Sequence, residues 1–146
     1  MNYLINIESN DIVEYDQDYD TLSKNLRTEP WRQATTQEVK SYLVEKHILR
    51  IKEEAARRIN SQCPLWKQSN VQGQAIDILC REQKQKAIDP SYSISEQDKA
   101  VLGEAKRIKS DITYLQEKSN TLEASLSQLS IEELETFNCA DESNWA

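Results

Sequence analysis

Between Val101 and Leu129 the sequence places Val101, Ala105, Ile108, Ile112, Leu115, Ser119, Leu122, Leu126 and Leu129 at strictly alternating steps of four and three. A strand turns successive side chains to opposite faces, so it cannot gather this set on one side. A helix with a 3.5-residue seam can, and four repeats of it are the signature of a coiled coil. No proline interrupts the run, and Ser95 with Asp98, or Ser93 with Glu96, supplies the N-terminal cap. A helix from Ser95 to Leu129 would be on the order of 50 Å long. Seven of the nine seam residues are large and apolar, each worth roughly 1.5–3 kcal/mol when buried, so an uncovered seam forfeits about 10–20 kcal/mol.

That seam has two ways out of water. An earlier helix, Glu38 to Ser61, can fold back on it, or identical chains can pair along it. With Val101 at d and Ala105 at a, the g positions are Glu104, Asp111, Lys118 and Ser125, and the e positions are Leu102, Lys109, Gln116 and Glu123. In a parallel assembly Glu104 meets Lys109 and Lys118 meets Glu123 of a neighbouring copy, which predicts parallel self-association. Ile at both a and d near the middle leans towards three strands over two.

The rest of the chain is read around this helix. Tyr3 to Ile7 and Ile12 to Tyr15 are short β-branched and aromatic runs about Glu8-Ser9-Asn10-Asp11, predicting a hairpin with Tyr3, Ile5 and Ile7 on one face. An acidic connector from Asp16 to Pro30 follows, with a helical turn expected around Leu22 to Leu26. Thr35 and Glu38 form a capping box for a helix to about Ser61, with Val44, Ile48, Ile51 and Ala55 as its stripe. Pro64 suits the first turn of another helix, carrying Trp66, Ile76, Ile78 and Leu79 and fading in Arg81 to Lys86. Ser130 with Glu133 caps a last turn. The expected fold is mainly α: residues 1–34 a hairpin module with its connector, 35–92 helical, 93–130 the coiled-coil helix, and 131–146 a helical turn and acidic tail.

Two glycines and three prolines in 146 residues exclude a glycine-rich phosphate loop and argue against a turn-rich sandwich. The net charge of −7 disfavours general nucleic-acid binding. Lys46, Arg50, Lys52, Arg57 and Arg58 read as a solvated helix face paired with Glu45, Glu53 and Glu54. Cys63, Cys80 and Cys139 have no zinc or redox spacing; Cys63 and Cys80 read as packing residues. His47, the only histidine, reads as a plain helical one. The acidic run Glu14 to Asp20 lacks the glycine and terminal glutamate of a calcium loop. No signal peptide and no membrane span are recognisable. The expectation is a non-enzymatic chain without metal, cofactor, membrane or nucleic acid.

Two phrases carry a resemblance. Tyr3-Leu4-Ile5-Asn6 through Ser9-Asn10-Asp11-Ile12-Val13-Glu14-Tyr15, then Trp31-Arg32-Gln33-Ala34-Thr35-Thr36-Gln37-Glu38-Val39, resembles the front of small tailed-bacteriophage tail and tail-fibre-associated proteins. Arg58-Ile59-Asn60 followed by Pro64-Leu65-Trp66-Lys67-Gln68-Ser69-Asn70 is similar to a helix junction in the same proteins. Asn10 stands where their hairpin turn has glycine, and asparagine tolerates the left-handed region.

The resemblance implies a structural component of a phage tail fibre or baseplate, made in the host cytoplasm and ending in the virion tail. The alternative it admits is a tail-fibre assembly chaperone, with the seam favouring the structural component, and a cytosolic coiled-coil adaptor unrelated to phage is the rival. Under the first reading the nine seam residues oligomerise the chain, as a trimer before a dimer. Tyr3, Tyr15, Trp31 and Trp66 dock other tail proteins, and Cys139 in the acidic tail is the candidate for an interchain disulfide.

Overall fold

The computed structural model describes residues 1–15 and 30–146. They are mainly helical: strands β1 (Asn2–Asn6), β2 (Ile12–Tyr15) and β3 (Trp31–Gln33), helices α1 (Thr36–Gln62), α2 (Leu65–Ile88), α3 (Glu96–Leu126) and α4 (Ile131–Thr136), and a 3-10 turn, Glu142–Asn144. The turn expected at Leu22 to Leu26, and the acidic run beyond Tyr15, lie outside the described residues. Two compact units emerge, and neither is a continuous stretch of chain. One combines Met1–Ile51 with Thr121–Asn144, the other Lys52–Asn120 with Trp145–Ala146.

In the first unit a three-stranded sheet of order β2-β1-β3 replaces the expected lone hairpin. β1 pairs antiparallel with both neighbours, Ile5 opposite Ile12 on one side and Arg32 on the other. Asn10 turns the chain with φ 61°, as the sequence required, while the Asn6 side-chain oxygen accepts from the Glu8 and Ser9 amides at 2.9 and 3.1 Å. Trp31-Arg32-Gln33 is too short and mixed to announce a strand; only pairing with β1 makes it one. As the central strand β1 has both edges paired, and both of its faces are covered as well. Tyr3, Leu4 and Ile5 are all buried, whereas Ile7, beyond the strand's end, is exposed, against the one-sided alternation expected.

The start of α1 follows its capping box. The Thr35 hydroxyl accepts from the Glu38 amide at 3.3 Å, and the Glu38 carboxylate accepts from the Thr35 amide at 2.8 Å. Arg32 also donates twice to that carboxylate, which together with the cap lowers the Glu38 pKa to about 2. Of the expected α1 stripe Ile51 and Ala55 are buried, whereas Val44 and Ile48 are half-buried; Val39, Leu43 and His47 are buried in their place, with Glu54 beside them. Steps of four advance about 40° per step around the helix axis, so this stripe winds along α1. α4, six residues long, is held by a complete Ser130–Glu133 capping box and by Leu134, which is fully buried.

In the second unit Glu54 is buried with its charge matched. Arg57 and Arg58 donate to its carboxylate at 2.6–2.7 Å. Cys63 is buried at the joint, and Gln68 Nε2 donates to its carbonyl at 2.7 Å, closing the corner before α2. α2 does not fade after Arg81 but runs to Ile88, with Lys86 paired to Glu82 at 2.7 Å. Lys67–Glu104 and Arg81–Asp98 ion pairs, at 3.5 and 2.7 Å, set α2 antiparallel to α3. Trp145 is buried. The Arg58 guanidinium lies 5.0 Å from its ring centroid, Tyr114 donates to its carbonyl at 3.4 Å, and Lys118 reaches the Ala146 carbonyl.

The α3 seam is sheltered within the chain. Ile108, Leu115, Ser119 and Leu126 are buried, Leu126 completely; Val101, Ala105, Ile112, Leu122 and Leu129 are half-buried, and none of the nine is exposed. The buried four are spaced 7, 4 and 7 positions apart, close to five turns of a straight helix and also on the 3.5-residue seam. The two periods differ by only about 20° per heptad, so over this length one residue set satisfies both. α3 itself ends at Leu126, after 31 residues.

Candidate functional site

The densest polar cluster lies in the first unit, around a cavity of about 280 Å³ lined by Tyr3, Glu14, Lys46, His47 and Leu134 among others. His47 Nε2 lies 2.8 Å from the Leu134 carbonyl oxygen. A carbonyl only accepts, so Nε2 carries the proton and Nδ1 is a bare lone pair; that atom is buried without a partner among the described residues. Burial, with Arg50 and Lys46 nearby, holds the His47 pKa below its ordinary value, so the ring is neutral at pH 7. Phe137 packs edge-on against it at 5.2 Å.

Around it, Tyr3 donates to the Glu135 carboxylate at 2.9 Å. Burial and that acceptor push the phenol well above its usual pKa, so it stays protonated. Glu14 on β2 accepts from Lys46 and Tyr42 of α1, and the Lys46 bond keeps it below the usual carboxylate range. The neutral imidazole, protonated phenol and paired carboxylate join sheet, α1 and α4. Among the described residues no three His, Cys, Asp or Glu side chains gather as metal ligands.

The sheet and α1 also border an open cleft of about 500 Å³ that includes Asp11, Glu38, Ser41 and Glu45. Its most perturbed group, Glu38, is already committed to Arg32 and Thr35.

A different kind of site lies on α2. Its inward residues are Gln68, Val71, Ala75, Ile78 and Glu82. The outer side presents Leu65, Trp66, Ser69, Gln72, Gly73, Ile76, Leu79, Cys80 and Gln83, all exposed and uncharged, with exposed Asp77 and Lys84 at its edge. Leu65, Trp66, Ile76 and Leu79 are 70, 67, 61 and 47% exposed. Within the Pro64-to-Asn70 phrase the labour divides: Lys67 and Gln68 build the joint with α1 and α3, while Leu65, Trp66 and Ser69 face water. A contiguous apolar strip of this kind marks an interaction surface.

The anchor residues read from the sequence are thus scattered. Tyr3 is in the core and unavailable as a surface anchor, Tyr15 and Trp31 are half-buried on the two outer strands, and Trp66 stands exposed. Cys80, expected to pack, is exposed because it lies opposite Ala75 and Ile78; Cys139 is half-buried rather than on a free tail. Lys46 pairs with Glu14 across to the sheet rather than with Glu45.

Sequence reasoning missed two features. His47 belongs to the step-of-four series Val39, Leu43, His47, Ile51, which was legible. The outward face of α2 carries its own four-three spacing, hidden because Ser69, Gln72 and Gln83 occupy half of it. No family model, curated protein or solved structure matches this chain.

Proposed function

We propose that the chain is a non-enzymatic structural protein of a tailed bacteriophage, a component of the tail fibre or baseplate attachment, that works by docking through the outer face of α2. The observation that carries this reading is the exposed strip of Leu65, Trp66, Ile76 and Leu79. It begins inside the phrase on which the phage resemblance rests, and burying it would bring a large further gain. Consistent with a non-enzymatic role, the perturbed groups around His47 are engaged in joining elements. Self-association along the α3 seam would first have to expose residues such as Leu126 that the single chain already buries, so docking is assigned to α2.

Mass spectrometry of purified phage particles tests the reading: peptides of this chain are expected in stoichiometric amount. Their absence overturns it. Absence combined with co-purification on a fibre protein from infected cells replaces it with the assembly-chaperone reading.

A further inference from the structure

The outer face of α2 has the geometry of half an interface with itself. Leu65, Ser69, Gln72, Ile76, Leu79 and Gln83 follow steps of four, three, four, three and four, an exposed coiled-coil seam about 100° around the helix from buried Ala75 and Ile78. Beside them run Trp66, Gly73 and Cys80, seven residues apart. A Cβ added at Gly73 would meet nothing within 4 Å, so the backbone there is open to approach. The strip is about 27 Å long.

We infer that this face pairs with the same face of a second copy of the chain, antiparallel about a two-fold axis near Gly73, a partner that refines the docking surface proposed above and rests on that assignment of α2. Three observations select a second copy. The seam itself carries no charge, and the charges at its edge, Asp77 and Lys84, are of opposite sign, so a copy brings no net repulsion there. Its sizes are self-complementary: Leu79 meets Ser69 of the second copy, Ile76 meets Gln72, and Leu65 meets Gln83, with each contact made twice. On the flank the indole of Trp66 covers Cys80 of the second copy, while the two Gly73 residues sit together. A parallel pair would instead stack Leu on Leu and Ser on Ser, leaving the helix separation uneven. Finally, the exposed apolar area is on the order of 500 Å² per chain, which places the pair among reversible contacts, below the ~800 Å² per partner of a standard interface.

Sedimentation velocity on the full chain, over about 1–200 µM, reads the equilibrium. A monomer–dimer equilibrium in the micromolar range is expected. Ile76→Glu and Leu79→Glu each should weaken it at least tenfold without changing helicity or Tm, since both side chains are exposed. In a Cys80→Ser, Cys139→Ser background, Gly73→Cys should cross-link the dimer on mild oxidation, while Ser69→Cys, which only a parallel register brings to its own counterpart, should not. A chain that stays monomeric throughout overturns the inference, as does a trimer, a dimer indifferent to Ile76→Glu, or failure of Gly73→Cys to cross-link. None of these results bears on whether the chain is found in phage particles, so this inference and the phage reading fail separately.

Discussion

His47 shows how one side chain fixes both a local contact and a response to pH. The Leu134 carbonyl demands an Nε2 proton, and burial keeps the ring from taking a second one. An unfolded histidine titrates near 6.5. Because the folded pKa is lower, the unfolded chain binds a proton first as pH falls, so stability is whole above about pH 6.5 and is lost below it. Glu14, Glu38 and Glu54, whose pKa values are depressed, give up their contribution only in the carboxylate range. With a single histidine in the chain, the window from about 6.5 to 5 belongs to His47. Urea denaturation at pH 7.5 and 5.5 should therefore show a loss in the native protein. In His47→Gln, whose amide can still donate to Leu134, that loss should be absent.

Among the elements, α2 and α3 carry the same kind of spacing to opposite ends. On α3 the spaced residues are inside; on α2 the inward set is short and the second set is outside. Leu126→Ala should cost about 2–5 kcal/mol, the usual toll of a large-to-small change in a packed core. Ile76→Ala, measured on dilute protein, should stay within about 0.5 kcal/mol. Equal costs would mean that the two faces had been wrongly assigned. α4 makes the complementary point. It is too short to be stable alone, and it exists because Ser130 caps it while His47 and Leu134 anchor it.

At the scale of the whole molecule, the two units are each assembled from separated parts of the sequence. Trp145 belongs with Lys52–Asn120, where Arg58 stacks on it and Arg58 in turn holds Glu54. Trp145→Ala should therefore destabilise the protein by about 3–5 kcal/mol, as removal of a buried aromatic does, followed by thermal and urea unfolding. Trp66→Ala should leave Tm nearly unchanged, since the residue is largely exposed.

What the sequence determined by itself is local and periodic. The helices and their starts were legible at Thr35, Ser95 and Ser130, because a cap is a contact between residues three apart, and at Pro64, whose fixed φ and missing N–H suit a helix start. Asn10 at the turn and the α3 seam were legible for the same reason, short range and regular spacing. Tertiary structure alone decided the rest. β3 exists only as a partner for β1, Tyr3 became core because its strand is central, and His47 found Leu134 across 87 positions of sequence. The fate of the α3 seam was of this second kind. Periodicity states that a face must be buried, but whether the chain's own segments or another molecule does the burying depends on where distant segments come to lie, and no spacing along one helix records that.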